Sequence, residues 1–94
     1  MVVYGDFEWD DDKAAKNLSK HGIAFAEAAT AVIDPNALFL QDETDQEEER
    51  FRVIGRSSKA NILLVVVVER GSQERLISAR LATEKEEELY FYEG

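Results

Sequence analysis

The stretch "ERLISAR", residues 74–80, places Arg75 and Arg80 on what reads as one short strand. Arg70 stands just before it, and Arg50, Arg52 and Arg56 crowd the stretch "RFRVIGR" at residues 50–56. A guanidinium is a planar fork that meets two phosphate oxygens at once, so arginines on a sheet face suit a ligand bearing phosphate. His21 is the single histidine, and it shares a short segment with Lys13 and Lys20. Histidine exchanges protons near neutral pH, which makes it the obvious proton carrier. Cations for a charged phosphorus centre and one group to move a proton are the ingredients of phosphoester chemistry. The elements of the fold must bring them together.

Charge bears on that reading in two ways. The chain has eleven basic and twenty acidic residues and a net charge of −9, and polyanions bind through Lys and Arg, so the average argues against nucleic acid. The distribution is uneven. Residues 50–80 hold Arg50, Arg52, Arg56, Lys59, Arg70, Arg75 and Arg80 against Glu69 and Glu74, a local +5 in a remainder of −14. The run "DETDQEEE" at 42–49 is the acidic extreme and reads as a solvated loop.

Ninety-four residues make a single domain, 1–94, with a modest core. No cysteine is present, which removes disulfides and thiolate metal sites, and one histidine removes a multi-histidine site. No cofactor is expected. The stretch "NILLVVVV" is too short to span a bilayer and no amino-terminal run resembles a signal peptide, so a cytoplasmic address without membrane contact is expected.

Periodicity then orders the elements. Tyr4 to Trp9 alternates and predicts a short strand. Asp10 is a natural N-cap for a helix running to His21, with Asp11 and Asp12 in its first turn and Gly22 as its stop. The buried side of this helix is expected to carry Ala14, Ala15 and Leu18, while Lys13, Asn17, Lys20 and His21 share another face. Phe25, Ala28, Ala29 and Val32 form the stripe of a second helix ended by Asp34–Pro35, with Ala24 where a Ser or Thr cap would be expected. "ALFLQ", "RFRVIGR", "NILLVVVVE" and "RLISAR" read as strands whose connections are too short for crossover helices, which predicts an antiparallel meander. Parity sets Phe51 and Val53 towards the helices and Arg50, Arg52 and Arg56 away from them, with Arg75 opposite in sense to Arg80. Thr83 and Glu86 match the capping box of a closing helix.

"FEWDDDKAAKNLSKHGIAFAEA", "DP", "EERFRVIGRS", "LLVVVVERG" and "RLISARLATEKEEELY" together resemble the BrnT toxin family over about residues 7–90. Ala24 departs from the usual Ser or Thr, and the acidity exceeds what RNA cleavage suggests. The resemblance implies an α+β, RelE-like fold: two amino-terminal helices packed on an antiparallel meander sheet, with a closing carboxyl-terminal helix. It implies a metal-independent endoribonuclease toxin of a type II toxin–antitoxin pair, without cofactor. The implied partner is a BrnA-like ribbon-helix-helix antitoxin that reaches operator DNA and shares in operon autoregulation. A toxin-fold protein that has lost cleavage and serves as partner and corepressor of the antitoxin is the alternative.

On that footing the expected catalytic set is Arg80, supported by Arg70 and Arg50, with His21 as proton carrier. Lys13, Lys20, Arg52, Arg75 and Tyr90 are expected to bind substrate, Tyr90 or Tyr92 by stacking on a base. Each has a plainer role beside it: alkyl stems covering a sheet face for the arginines, a helix carboxyl end for His21, a solvated face for the lysines, and a docking anchor for the tyrosines. Glu49 could act as a base beside Arg50, and Arg75 could pair with a glutamate of "EKEEE". A basic segment of the antitoxin is expected to meet the 42–49 run or the carboxyl-terminal glutamates.

Overall fold

The computed structural model describes residues 1–42 and 50–93; the acidic run, apart from the backbone of Asp42, and Glu49 with it, lies outside them. The chain builds β1 (Val2–Tyr4), β2 (Phe7–Trp9), α1 (Asp11–His21), α2 (Phe25–Val32), β3 (Leu38–Asp42), β4 (Arg50–Arg56), β5 (Ile62–Arg70), β6 (Gln73–Leu81) and α3 (Glu84–Glu93). The six strands form one sheet in the order β1-β2-β6-β5-β4-β3.

Strands β3 to β6 are the expected antiparallel meander. The amino-terminal segment corrects the rest. It is a hairpin turned at Gly5, whose φ of 59° is the left-handed value glycine tolerates, and β2 then pairs with β6 in parallel. The sheet is therefore mixed. Helices α1 and α2 intervene between β2 and the meander and supply the crossover that a parallel pair requires.

The main core lies between the sheet and these two helices. Phe25, Ala28, Ala29, Ala31 and Val32 of α2 pack with Val53, Leu63, Val65, Val67, Leu76 and Ala79, and Phe7, Trp9 and Ile23 close the end. Small residues let α2 come close. An added Cβ on Gly55 would lie 2.1 Å from the Ala31 carbonyl oxygen. Buried Glu27 fastens the β4–β5 turn to α2 by accepting from Ser57 Oγ at 2.6 Å and Asn61 Nδ2 at 2.9 Å. On the opposite face, Tyr90 of α3 joins Ile54 and Leu64 in a second, smaller cluster.

Capping follows the sequence. Asp12 N–H donates to Asp10 Oδ1 at 2.9 Å, and Gly22 takes φ 72° at the end of α1. Ala24 offers α2 no side-chain cap. Thr83 N–H donates to Glu86 Oε1 at 2.8 Å and Glu86 N–H to Thr83 Oγ1 at 3.3 Å, the reciprocal pair of a capping box.

The packing of α1 departs from expectation. Ala15 and Leu18 are exposed and Ala14 is half-buried, whereas Asn17 is buried. The cause is the short reach of β2, which pairs only with Glu74 and Arg75 of β6. Farther along, the β6 edge is met by Asn17. Its Nδ2 donates to Ala79 O at 2.8 Å and to Ile23 O at 2.9 Å, and its Oδ1 accepts from Ala79 N–H at 3.0 Å. The side-chain amide stands in for a peptide of a missing strand, so a polar residue holds the helix down.

Candidate functional site

Anchoring by Asn17 fixes which face of α1 looks outward beside β6. Lys13, Lys16 and Lys20 fall at i, i+3 and i+7, with Asn17 and His21 between and beside them, so they share one side of the helix. With Ile77 and Ser78 of β6 these residues line an open groove of ≈ 280 Å³. Among the described residues no carboxylate lines it. The structure thus brings together Lys13, Lys20 and His21 from the expected set, and adds Lys16 and Ser78. Lys16 was legible in principle from its helical spacing; Ser78 was not, because its place depends on a bulge.

That bulge also corrects the parity of the arginines. Val66 pairs with Ser78 and Val67 with Leu76, leaving Ile77 as the extra residue of β6. Strict alternation would set Arg75 and Arg80 on opposite faces. With one residue inserted, Arg75 pairs with Val68 and Arg80 with Leu64, so both lie on the face that α1 and α2 leave open. Arg50, Arg52 and Arg56 share that face through Val68, Val66 and Ile62.

Sharing a face is not converging. Arg80 lies opposite Leu64, whereas Arg70 ends the same strand six residues on, about 20 Å away at strand rise. Arg50, opposite Val68, is about 13 Å along from Leu64. These separations prevent Arg80, Arg70 and Arg50 from closing on one phosphate, as the sequence reading expected them to do.

Arg80 and Arg75 are also held by carboxylates. Arg80 Nη1 and Nη2 donate to Glu86 Oε1 and Oε2 at 2.8 and 3.0 Å, and Nη1 also donates to Leu81 O at 3.1 Å. Burial raises the Glu86 pKa, but the Arg80 hydrogen bonds and those from Thr83 more than offset it, leaving the carboxyl below its ordinary value. Arg75 donates from Nε and Nη2 to Glu8 Oε2 at 3.1 and 2.7 Å. The partner expected in "EKEEE" is replaced by Glu8 because the parallel β2–β6 pair sets Glu8 beside Arg75. Arg52 is exposed, opposite Val66, which is itself opposite Ser78. Two strand spacings, about 10 Å, separate Arg52 from Ser78 at the groove.

Tyr90 differs most from expectation. It is 6% exposed, and its ring packs with Ile54 and Leu64, so it has no face to offer a base. Its hydroxyl donates to Asp34 Oδ2 at 2.5 Å, and the same oxygen accepts from Arg56 N–H at 2.8 Å. Asp34 therefore ties the end of α2 to β4 and α3.

Burial raises the Asp34 pKa, yet hydrogen bonds from Tyr90, Arg56 and Asn36 outweigh it and leave the carboxyl lowered. Burial and the Asp34 contact raise the Tyr90 pKa. A lowered carboxyl contributes stability that is present above its unfolded value, near 3.8, and disappears as pH falls through the folded value. A raised phenol contributes stability that is present below about 10 and disappears as pH climbs through its folded value. Tyr90→Phe is expected to cost about 1 kcal/mol at neutral pH and to flatten both limbs of the stability–pH profile, as read by urea unfolding. Unchanged limbs would assign the pH dependence to other groups.

A mixed sheet with helices on both faces and a groove lined by the basic face of an anchored helix define a small α+β protein. Residues 9–86 match the family model of the ribonuclease toxin BrnT of type II toxin–antitoxin systems. The chain belongs to that BrnT family. The crystal structure of the Brucella abortus ribonuclease toxin BrnT, at 1.1 Å resolution, is similar, with a TM-score of 0.66 and 27% identity over 83% of this chain and 96% of that one. No curated protein sequence matches significantly. Among the described residues, no helix is long and apolar enough to cross a membrane.

Proposed function

We propose that this chain is a metal-independent endoribonuclease toxin whose substrate phosphate seats in the groove between α1 and β6. The observation that carries the reading is the groove itself: three lysines and the chain's only histidine, with no carboxylate among its described lining residues, in a molecule of net charge −9. In such cleavage the ribose 2′-oxygen forms a bond to the adjacent phosphorus as the P–O5′ bond breaks. One group takes the 2′ proton and another supplies a proton to the departing 5′-oxygen. His21 is the proton carrier of the groove, and Lys13, Lys16 and Lys20 offset charge on the phosphate oxygens. Arg52 extends the positive surface across the sheet for a neighbouring nucleotide. Arg80, held by Glu86, contributes its field from two residues beyond Ser78.

Membership of a type II family implies an antitoxin. We assign that role to a BrnA-like ribbon-helix-helix protein that blocks the toxin and, with it, represses their shared operon. Operator DNA is then reached only through the antitoxin.

Cleavage of single-stranded RNA in EDTA tests the proposal. His21→Asn is expected to slow cleavage by about 10²–10⁴-fold while leaving the melting temperature within a few degrees. The Lys16→Ala/Lys20→Ala pair is expected to weaken RNA binding and reduce its salt dependence. The ion pairs Arg80–Glu86 and Arg75–Glu8 support a second reading, a toxin fold that has ceased to cut and acts as partner and corepressor. RNA left intact by concentrated wild-type protein, with or without metal, would establish that reading in place of the first.

A further inference from the structure

The carboxyl-terminal helix presents a surface that neither the fold nor the groove uses. Glu86 and Tyr90, one turn apart, face the sheet through Arg80 and Asp34. Lys85, Glu88, Leu89, Tyr92 and Glu93 fall at i, i+3, i+4, i+7 and i+8, a second stripe rotated well away from the first. These five residues line a shallow hollow of ≈ 370 Å³. Its apolar members are open to solvent, Leu89 at 38% and Tyr92 at 86% exposure. No described residue lines both this hollow and the α1–β6 groove.

We propose that this stripe is the docking face for a basic amphipathic helix of the toxin's protein partner. Charge selects the occupant. Helix α3 has five glutamates against Lys85, and Glu86 alone of the five is neutralised by Arg80. Leu89 and Tyr92 form an apolar floor beside Glu88 and Glu93, with Glu84 and Glu87 exposed elsewhere on the helix. A second copy of this chain would set glutamate against glutamate and is disfavoured. A helix with apolar side chains one turn apart and Lys or Arg beside them would cover the floor and meet the acidic groups, the groove-and-anchor mode of helix recognition. The inference rests on the toxin–antitoxin reading for the partner's role, but its site is separate from the cleavage groove. Docking there anchors the partner without covering Lys13, Lys16, Lys20 or His21.

A fluorescein-labelled 14-residue Leu/Lys amphipathic peptide, titrated by anisotropy, is the probe, with a Leu/Glu peptide of the same pattern as control. The full chain is expected to bind the Leu/Lys peptide and ignore the Leu/Glu one. Leu89→Ser/Tyr92→Ser is expected to weaken binding by about 10- to 100-fold while the melting temperature stays within a few degrees of the wild type. Glu88→Gln/Glu93→Gln is expected to slow association and to lessen its dependence on salt. Equal affinity for wild type and the Leu89/Tyr92 variant would overturn the proposal. So would equal binding of the two peptides, or a wild-type dimer in sedimentation that the same variant dissolves. If wild-type protein binds the peptide yet leaves RNA intact, the cleavage reading falls and the docking face stands.

Discussion

Asn17→Ala is expected to lower the free energy of unfolding by about 3–5 kcal/mol and to abolish the α1–β6 groove in the molecules that remain folded. Three hydrogen bonds meet at this one side chain, at 2.8, 2.9 and 3.0 Å, and all three are buried. Alanine leaves the Ala79 N–H, the Ala79 carbonyl and the Ile23 carbonyl without that partner, in a position that β2 is too short to reach. Each orphaned buried group costs about 1–3 kcal/mol. Asn17→Asp is expected to be as damaging or worse. It keeps an acceptor for Ala79 N–H but turns a carboxylate towards two carbonyl oxygens that previously received a donor. Urea midpoints, with the slope m checked for constancy, measure both effects. A loss below about 1 kcal/mol would mean that α1 is held by its apolar contacts instead. RNA cleavage by Asn17→Ala is expected to fall more than the folded fraction accounts for, because the lysines and His21 keep their register against Ser78 only while the amide holds.

Local chemistry and the meander of successive strands were legible; the parallel β2–β6 pair and the bulge in β6 were not. Asp10, Gly22 and the Thr83–Glu86 box mark helix ends through groups within a few residues of one another, and they stand where the sequence sets them. The Phe25, Ala28, Ala29 and Val32 stripe predicts its own burial in the same way. Asn17 misled because an amide on a helix reads as solvated unless the strand edge it serves is known, and that edge lies 62 residues away in sequence. Ile77 misled because a bulge inserts one residue without any composition signal, and every parity beyond it changes sense. The basic segment of residues 50–80 was real as a count and as a shared face, but a sheet spreads its residues by strand rise and spacing. Arg80 was therefore kept apart from Arg50 and Arg70, and the groove formed where a helix meets an edge. The lysines and His21 could be grouped from helical spacing alone because a helix sets its own neighbours. Tyr90 looked available because it lies near the end of a charged helix, and it is buried because Asp34, far back in the chain, takes its hydroxyl.

Gly55→Ala is expected to destabilise the fold by about 3–5 kcal/mol, comparable to the loss of Asn17 but by overcrowding and not by unpaired polar groups. The added Cβ would lie 2.1 Å from Ala31 O and 2.9 Å from Ala31 C, both backbone atoms of α2. Backbone cannot rotate aside as a side-chain tip can, so α2 must lift from β4. That movement would open contacts among Ala28, Ala31 and Val53, which are all fully buried. It would also pull on Glu27, whose carboxylate secures Ser57 and Asn61 at the turn after β4. The mechanism makes a distinctive second claim. Ala31→Gly removes a side chain but leaves the offending carbonyl in place, so it is expected not to rescue Gly55→Ala and to add its own cost of about 1 kcal/mol from helix propensity. Thermal and urea unfolding of the two single variants and the double variant measure this directly. Recovery of stability in the double variant would show that the close approach is set by the Ala31 methyl group, and that α2 settles onto β4 through its side chains. With Gly55→Ala and Ala31→Gly losses that simply add, the contact is backbone against strand, and the seat of α2 at position 55 admits glycine alone.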